Sequence, residues 1–419
     1  EVFLRELVSN AVDACQKLST LIDKGVAKVG DFALEVSIAI DEDARTLTVT
    51  DDGIGMTADE VERYIAQIAF SSAEEFVKEY KDASDRIIGH FGLGFYSAFM
   101  VADKVDVITR SYQEGAEPVK WSSTGATEYS MEPTEREQQG TDIVLHLSKE
   151  ADEYLQSVRI KEILSKYGKF LPVPVKFESE QINNTQPAWI KAPSELTDVD
   201  YRKFYREIYP MAEMPLFWIH LNVDYPFRLK GILYFPPIRP QMDVKKNKIQ
   251  LYQQQVFVTD HVEDIVPEYL TLLHGVIDSQ DIPLNVSRSY LQTDATVKKI
   301  SQHIAKKVAD KLKEIYKEDR EEYNKQWDSI GVFLKFGLMS DDKFKDRAMD
   351  LLLLKNTEKA LFTVDEYKDK IREKQLNKDD KLVMLYGTDP DAQDSYIHTA
   401  QQKGYDVVLA ARPMALLIQ

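Results

Sequence analysis

A row of three polar side chains in the first helical segment constrains this chain more than any other feature. In FLRELVSNAVDAC, Glu6, Asn10 and Asp13 follow the spacing i, i+4 and i+7, which places them on one helical face. The other face is apolar and predicts core contacts by Leu4, Leu7, Val8, Ala11 and Ala14. A carboxylate, an amide and a second carboxylate in one row favour a buried site that holds a metal-bound phosphate and activates a water. A solvated helix face is the alternative for this helix taken alone.

A second segment places a carboxylate and two glycines after a predicted strand. The alternating run 46–50 predicts the strand, and Asp51-Asp52-Gly53-Ile54-Gly55-Met56 follows it directly. Glycines at such a point let the backbone pass close to a flat ligand. Asp51 can then accept a hydrogen bond from an exocyclic amine such as that of adenine. A simple Asp-Gly turn is the alternative interpretation.

A third segment is a glycine-rich loop. Residues 89–97 read GHFGLGFYS and lead into an apolar stretch, 98–102, that is predicted to be helical. A glycine loop that opens a helix presents backbone N–H groups and a positive dipole end, which favours phosphate. The order G-x-x-G-x-G differs from the dinucleotide fingerprint, and no G-x-x-x-x-G-K-[ST] precedes it. In this order and at these separations, the three segments together predict a nucleotide site.

The three segments resemble the ATP-site motifs of the Hsp90 family, within the wider gyrase, Hsp90, histidine kinase and MutL (GHKL) superfamily. The resemblance is carried by ELVSNAVDA, DDGIGM and GHFGLGFYSAFMVAD, and Gly140-Thr141 resembles the last adenine-side element. It implies an α/β (α+β) fold class, with an N-terminal GHKL or Bergerat-type ATPase α/β sandwich. An α/β middle domain of the ribosomal protein S5 domain 2-like type, with a smaller α/β subdomain, would follow.

The resemblance assigns a role to each part of the motifs. Glu6 would be the general base that orients and deprotonates the attacking water, and Asn10 would bind Mg²⁺ through its side-chain oxygen. Asp51 would accept the adenine amino group with support from Thr141. The phosphates would be wrapped by Gly92, Leu93, Gly94 and Phe95. The other implied ATP-binding residues are Asp13, Lys17, Gly55 and Met56, and for Lys17 a solvated helix surface is the alternative.

Two later segments bear on catalysis. LNVSRSYLQ, residues 284–292, resembles the catalytic loop of the Hsp90 middle domain, so that Arg288 would reach the ATP γ-phosphate with support from Gln292. Without the resemblance, Arg288 is equally a surface ion-pair residue. Residues 66–72 lie where the family has a mobile lid that often reads G-T-I-A-K-S-G. Ala66, Gln67 and Phe70 depart from that pattern, and the loss of glycines predicts a stiffer lid.

Composition shifts divide the chain. The expected units are an ATP-binding domain at 1–178, a large middle-domain part at 186–296, connector helices at 297–328 and a small middle-domain part at 329–419. The resemblance implies that an N-terminal strand and a C-terminal dimerisation domain are absent, so that the chain is interpreted as a fragment. The link after residue 178 is short and polar. Eukaryotic cytosolic members of the family that the chain resembles have a long charged linker here, so the resemblance implies a bacterial or organellar form.

Several elements are predicted in the later units. Residues 297–327 carry one long helical stripe, 227–235 and 255–259 predict strands, and 381–386 predict a buried strand. Residues 407–410 are interpreted as a strand left without a partner.

Composition narrows the class of function. A chain of 419 residues with 43% hydrophobic content is expected to form two to four domains, and its net charge of −17 argues against a nucleic-acid partner. Its one cysteine, Cys15, favours a reducing compartment, and no apolar run is long enough to predict a membrane span. A cytoplasmic protein is expected.

The resemblance therefore implies an ATP-dependent chaperone that uses ATP/ADP and Mg²⁺ and acts on non-native client proteins. The intact protein would be a homodimer that cooperates with co-chaperones such as the Hsp70 system, and its ATPase would be weak or inactive in this chain alone. The alternatives are another GHKL ATPase, either a histidine kinase or a DNA topoisomerase or mismatch-repair type, and a scaffold that binds nucleotide without hydrolysing it.

Overall fold

The computed structural model describes residues 1–28, 33–67, 76, 94–126, 128–238, 248–262, 265–283 and 295–409. Within these ranges the chain forms three mixed α/β units, each built on its own sheet. The α/β fold class predicted from the sequence is confirmed.

The helices in the described ranges are distributed along the whole chain. They are α1 Val2–Asp23, α2 Ala58–Tyr64, α3 Ser157–Tyr167, α4 Asp198–Ile208, α5 Ala295–Glu318, α6 Arg320–Ser340, α7 Asp342–Ala348, α8 Val364–Ile371 and α9 Asp394–Gln402. Short 3₁₀ helices lie at Gly94–Met100, Lys149–Leu155, Ala188–Ile190, Pro193–Glu195, Glu268–Leu270 and Met349–Leu351.

The first sheet carries the candidate site. Its strands are β1 Val36–Asp41, β2 Thr46–Asp51, β3 Ala102–Arg110, β4 Val119–Ser123, β5 Tyr129–Pro133, β6 Gly140–Leu147, β7 Val175–Phe177 and β8 Glu180–Gln181, in the order β5-β4-β3-β6-β2-β1-β7-β8. The antiparallel register of β2 and β6 places Asp51 opposite Thr141. Alternate residues of β2, β3 and β6 point into a core shared with α1 and α3, and α1 packs on β1 and β2.

Two smaller sheets follow. One contains β9 Phe217–Val223, β10 Leu229–Phe235, β11 Lys248–Gln253, β12 Val256–Thr259 and β13 His274–Asp278, in the order β12-β11-β13-β10-β9. The other contains β14 Leu353–Asn356, β15 Leu361–Thr363, β16 Leu385–Gly387 and β17 Val407–Leu409, in the order β15-β14-β17-β16. Helices α5, α6, α7 and α8 contribute to a core shared with strands of both sheets.

The helical stripe predicted over 297–327 is divided between two helices, α5 and α6, with a break at Asp319. Asp319 leaves the helical conformation at φ −146°, and its side chain accepts the backbone N–H of Glu322 at 2.9 Å as the N-cap of α6. Buried Tyr323 and Trp327 continue the apolar stripe beyond the break, so the periodicity alone hides it.

The buried strand predicted over 381–386 is wrong. The strand is Leu385–Gly387, and Tyr386 is 50% exposed because β16 is the last strand in its sheet. The interpretation of 407–410 as a strand without a partner fails too, since β17 pairs antiparallel with β14 and parallel with β16.

The helix predicted for residues 98–102 is confirmed only as far as Met100, and it is a 3₁₀ helix. The 3₁₀ helix Gly94–Met100 precedes the start of β3 at Ala102. Phe95 and Ala98 are buried in it, and the Phe95 ring packs edge-on against Trp121 at a centroid distance of 5.9 Å. Packing of large rings explains the apolar run without a long α-helix.

The first two units touch through a few specific contacts. The ring of Tyr167 lies 5.9 Å from that of Phe257, and the Lys169 ammonium donates to the Glu207 carbonyl at 2.7 Å. Beside these contacts lies a cleft of about 960 Å³. Its walls are residues 15, 16, 19, 34 and 172–174 of the first unit, and residues 186, 190, 224, 228–230, 254, 255 and 278–280 beyond it.

Candidate functional site

Helix α1 carries the polar row predicted from the sequence. Its apolar face, with Leu4 and Leu7 fully buried, packs on the first sheet. Asp13 is only 5% exposed, while Glu6 and Asn10 are partly buried. The row therefore faces the interior of the first unit, and the alternative of a fully solvated helix face is excluded.

Glu6 is paired with its neighbour in the chain. The Arg5 guanidinium donates to Glu6 Oε1 through Nη2 at 2.9 Å and through Nε at 3.1 Å, with both side chains at most 14% exposed. The other carboxylate oxygen, Oε2, lies on the side of Gly94, where an added Cβ would be only 2.7 Å away. A side chain added at Gly94 would therefore displace the Glu6 carboxylate.

Asp51 ends β2 in a buried position. Its Oδ1 accepts the backbone N–H of Gly53 at 2.9 Å. Burial raises the pKa of Asp51 to about 7, although the Gly53 N–H and the Arg136 guanidinium act in the opposite direction. A ligand that donates a hydrogen bond to this carboxylate favours its ionised form, so its binding should weaken as the pH falls below about 7.

Two threonines and a backbone amide lie beside Asp51. Thr141, opposite Asp51 in the sheet, has its hydroxyl 3.0 Å from that of Thr109, which is fully buried. Thr109 donates to the Gly140 carbonyl at 3.0 Å and accepts the Met56 N–H at 3.0 Å. Through these bonds Thr109 fixes the backbone of both Met56 and Gly140.

The turn after β2 packs against both α1 and β3. The Ile54 N–H donates to the Ala14 carbonyl at 3.1 Å, and an added Cβ on Gly53 would lie 2.6 Å from the Ala14 side chain. Gly55 has φ +60°, and an added Cβ there would lie 1.8 Å from the Arg110 carbonyl oxygen. Both glycines are required by close approach to the protein's own backbone, and the approach to a flat ligand predicted from the sequence stays a prediction.

Replacing Gly55 with alanine is expected to destabilise β2 and β6 by about 3–4 kcal/mol, since a clash with a backbone carbonyl adds to the left-handed strain. Gly25→Ala is the matched control, because Gly25 has φ +71° and no atom within 4 Å of an added Cβ. Gly25→Ala should lower the local stability by about 1 kcal/mol. Hydrogen exchange of peptides that cover 46–51 and 140–147 measures the first effect, and exchange near residue 25 measures the second. Unchanged protection in Gly55→Ala would contradict the expected clash.

Asp13 and Lys17 lie one turn apart on α1, and both are buried. The Lys17 ammonium is 5.8 Å from the centre of the Phe76 ring. Burial lowers the pKa of Lys17, and the Asp13 carboxylate opposes that shift. The solvated surface considered for Lys17 is therefore excluded.

Several predicted residues lie outside the described residues. They are Gly92 and Leu93 of the glycine loop, Phe70 of the lid, and Arg288 and Gln292 of the predicted catalytic loop. Ala66 and Gln67 are described, and the Ala66 N–H donates to the Val61 carbonyl at 3.1 Å just after α2.

Two arginines at this site were not predicted from the sequence. Arg5 was overlooked because adjacent helical residues do not share a face, although its long side chain bends back to Glu6. Arg136 lies outside every motif, yet its Nη2 donates to the Asp51 carbonyl at 3.3 Å. Only the three-dimensional pairing of β2 with β6 brings it there.

None of the helices in the described part of the chain is both long enough and apolar enough to cross a membrane.

Comparison with known families divides the chain in two. Residues 1–167 match the family described as histidine kinase-, DNA gyrase B-, and HSP90-like ATPase. Residues 174–415 match the family described as Hsp90 protein. A histidine kinase or a gyrase would account for the first match only, and the second match excludes those alternatives.

Individual relatives agree with these matches. The chain is 55% identical to the chaperone protein HtpG of Porphyromonas gingivalis and 51% identical to that of Bacteroides fragilis, in each case over 98% of this chain and 62% of the relative. It is 39% identical to the chaperone protein HtpG of Bacillus subtilis, over 90% of this chain and 65% of the relative. The chain thus spans somewhat less than two thirds of the length of these relatives.

Proposed function

This chain belongs to the Hsp90 protein family, and we propose that it is the ATP-binding and middle part of a bacterial Hsp90-type chaperone. In this proposal the protein hydrolyses ATP to remodel non-native client proteins. The relatives that bear the name chaperone protein HtpG support this class of function.

One observation carries the proposal. Two glycine segments approach the same helix, since Gly94 lies against Glu6 and the Gly53–Ile54 turn lies against Ala14. Eight residues of α-helix span about 12 Å, which is comparable with the length of a nucleoside triphosphate. Helix α1 can therefore face the base near Ala14 and the terminal phosphate near Glu6.

At the base end, Asp51 accepts the adenine amino group, and the Thr141 hydroxyl supports it. Asp13, Lys17, Gly55 and Met56 form the surrounding walls. The turn at Gly55 packs directly on the Arg110 carbonyl, and the Met56 backbone that Thr109 fixes is proposed as one edge of the pocket. Burial of Asp51 makes its hydrogen bond to the adenine strong.

At the phosphate end, Gly92, Leu93, Gly94 and Phe95 wrap the phosphates with backbone N–H groups. Glu6 orients the attacking water and takes its proton. Arg5 occupies Oε1 of Glu6, which holds the carboxylate in one orientation and directs Oε2 toward the Gly94 side. The proton is therefore accepted at Oε2.

The donor set on α1 fits a magnesium ion that enters with the nucleotide. Asn10 presents a neutral side-chain oxygen one turn after Glu6, and hard cations prefer oxygen ligands. Mg²⁺ neutralises charge on the phosphates when it is bound.

Arg288 and Gln292 are proposed to act from the middle part. Ser279 and Gln280, a few residues before this segment, line the cleft opposite Cys15 and Gln16 of α1. The described residues just before this segment therefore lie on the wall that faces the ATP-binding unit. Docking of the middle part on the ATP-binding unit brings Arg288 to the γ-phosphate, where its charge stabilises the transition state, and Gln292 supports that contact.

The partners and location follow from the family. We propose non-native proteins as clients, a homodimer as the working form, co-chaperones such as the Hsp70 system, and a cytoplasmic location. Neither a nucleic acid nor a membrane is proposed as a partner.

Aggregation of thermally denatured citrate synthase tests the function. The full-length protein is expected to slow the increase in light scattering, and to do so to a different extent with ATP than with ADP. Glu6→Gln should abolish that difference but still bind ATP. ATP turnover without any effect on the denatured protein would overturn the chaperone assignment.

A further inference from the structure

The segment between β5 and β6 crosses the end of β2. We call residues 136–139 the strap. The Arg136 side chain is 12% exposed, and its Nη2 donates to the Asp51 carbonyl at 3.3 Å. The Gln139 side-chain amide donates to the Asp52 carbonyl at 3.4 Å. The strap therefore binds the backbone of both aspartates at the point where β2 ends.

The strap is itself held in place. Arg110 Nη1 donates to the carbonyls of Arg136 and Glu137 at 3.0 and 2.8 Å. Gly140 has φ +121°, and an added Cβ would lie 2.1 Å from the Asp51 carbonyl oxygen. The chain at the start of β6 thus lies directly against Asp51, and Arg136 has little freedom to move away.

Arg136 also has an acidic partner. Its Nη1 pairs with Asp142, whose other oxygen, Oδ1, accepts the Thr50 hydroxyl at 2.8 Å. The guanidinium is therefore oriented between the Asp142 carboxylate and the Asp51 backbone. Two fixed contacts on one planar guanidinium hold Arg136 in a single orientation.

The charges that act on Asp51 come from three sources. Arg136 favours its ionised form, whereas the Asp52 and Asp142 carboxylates disfavour it. On α1, the Cys15 thiol also interacts with the charge of Asp51. The pKa of Cys15 is raised, chiefly by burial and next by the negative charge of Asp51. Arg136 supplies the positive charge among the strongest of these effects on Asp51.

We propose that Arg136 is a positioning residue for nucleotide recognition, which fixes the backbone of Asp51 and supplies the positive charge behind its adenine-binding carboxylate. The inference rests on the proposed function, because it requires adenine at Asp51. The bound adenine amine donates to an ionised carboxylate, so nucleotide affinity depends on whether Asp51 has lost its proton. The positive charge of Arg136 favours that loss, and the negative charge of Asp142 opposes it.

Two substitutions should therefore act in opposite directions. Arg136→Gln removes the cation, and the pH below which ADP affinity falls should rise by about one unit. At pH 7 this corresponds to a roughly fivefold loss of affinity that is recovered above about pH 8.5. Asp142→Asn removes an anion, and the same pH should fall. If Arg136 and Asp142 only held the structure together, both substitutions would change the pH dependence of ADP affinity in the same direction.

Calorimetric titration of ADP between pH 6 and 9 measures these shifts. ADP phosphate groups also titrate in this range, but their contribution is common to all variants and cancels in the differences. Arg136→Lys keeps the positive charge, so its ADP affinity should depend on pH nearly as in the unsubstituted chain. Arg45→Gln is the matched control, because Arg45 pairs with Asp152 at 2.5 Å on the surface of the same unit.

The possible results separate the two proposals. Opposite shifts in Arg136→Gln and Asp142→Asn, with none in Arg45→Gln, support the role of Arg136. Shifts of the same sign, or no shift, overturn it and leave ATP binding intact. If the unsubstituted chain binds no ADP at any pH, the proposed function fails and this inference fails with it.

Discussion

Replacing Asp51 with asparagine is expected to weaken ADP binding about 100-fold at pH 8, where the carboxylate is ionised. The charge-assisted hydrogen bond to the adenine amine is lost, and such bonds contribute about 1.5–3 kcal/mol. The asparagine amide must also turn its NH₂ group into a buried region that offers few acceptors. Calorimetric titration of ADP into this 419-residue chain measures the effect.

Asp52→Asn is the control for this prediction. It removes the same charge one residue further along, but Asp52 is only half buried, and its backbone rather than its side chain is held by the strap. Its ADP affinity should stay within about threefold of the original. Equal losses in both variants would show that net charge, and not a contact by Asp51, determines affinity.

Replacing Glu6 with glutamine is expected to lower ATP turnover about 10²–10³-fold while ATP affinity changes less than about twofold. Glutamine keeps the shape of the side chain and can still accept from Arg5, but it cannot take the proton of the attacking water. Single-turnover hydrolysis by the full-length protein, together with calorimetry on the same variant, separates catalysis from binding.

Glu42→Gln serves as the control for Glu6→Gln, because Glu42 is exposed in the turn between β1 and β2. It should hydrolyse ATP at the original rate. A Glu6→Gln variant that turns over ATP at more than about a third of the original rate would exclude Glu6 as the general base.

The fold was predictable where local patterns suffice. The alternation at 46–50 gave β2, and the apolar run at 255–259 gave β12, because strand periodicity is visible in a few residues. The break at Asp319 was not predictable, since the buried stripe continues through it. The partners of β17 come from residues 353–356 and 385–387, and no local pattern specifies such a pairing.

The candidate site was also predictable from the sequence only in part. Motif spacing located Glu6, Asn10, Asp51 and the glycines, and the structure places Gly94 against Glu6 and Thr141 opposite Asp51. The catalytic and binding roles of these residues remain predictions. Arg5 and Arg136 could not be found from spacing, because each acts through a hydrogen bond that depends on side-chain direction or on the pairing of distant strands.

A crystal structure of this chain grown with ADP and Mg²⁺ tests the central claim most directly. The account predicts the adenine amino group within about 3 Å of an Asp51 carboxylate oxygen, and the phosphates beside Gly94 at the Glu6 end of α1. A nucleotide bound elsewhere, or one that turns its phosphates toward Asp51, would contradict it.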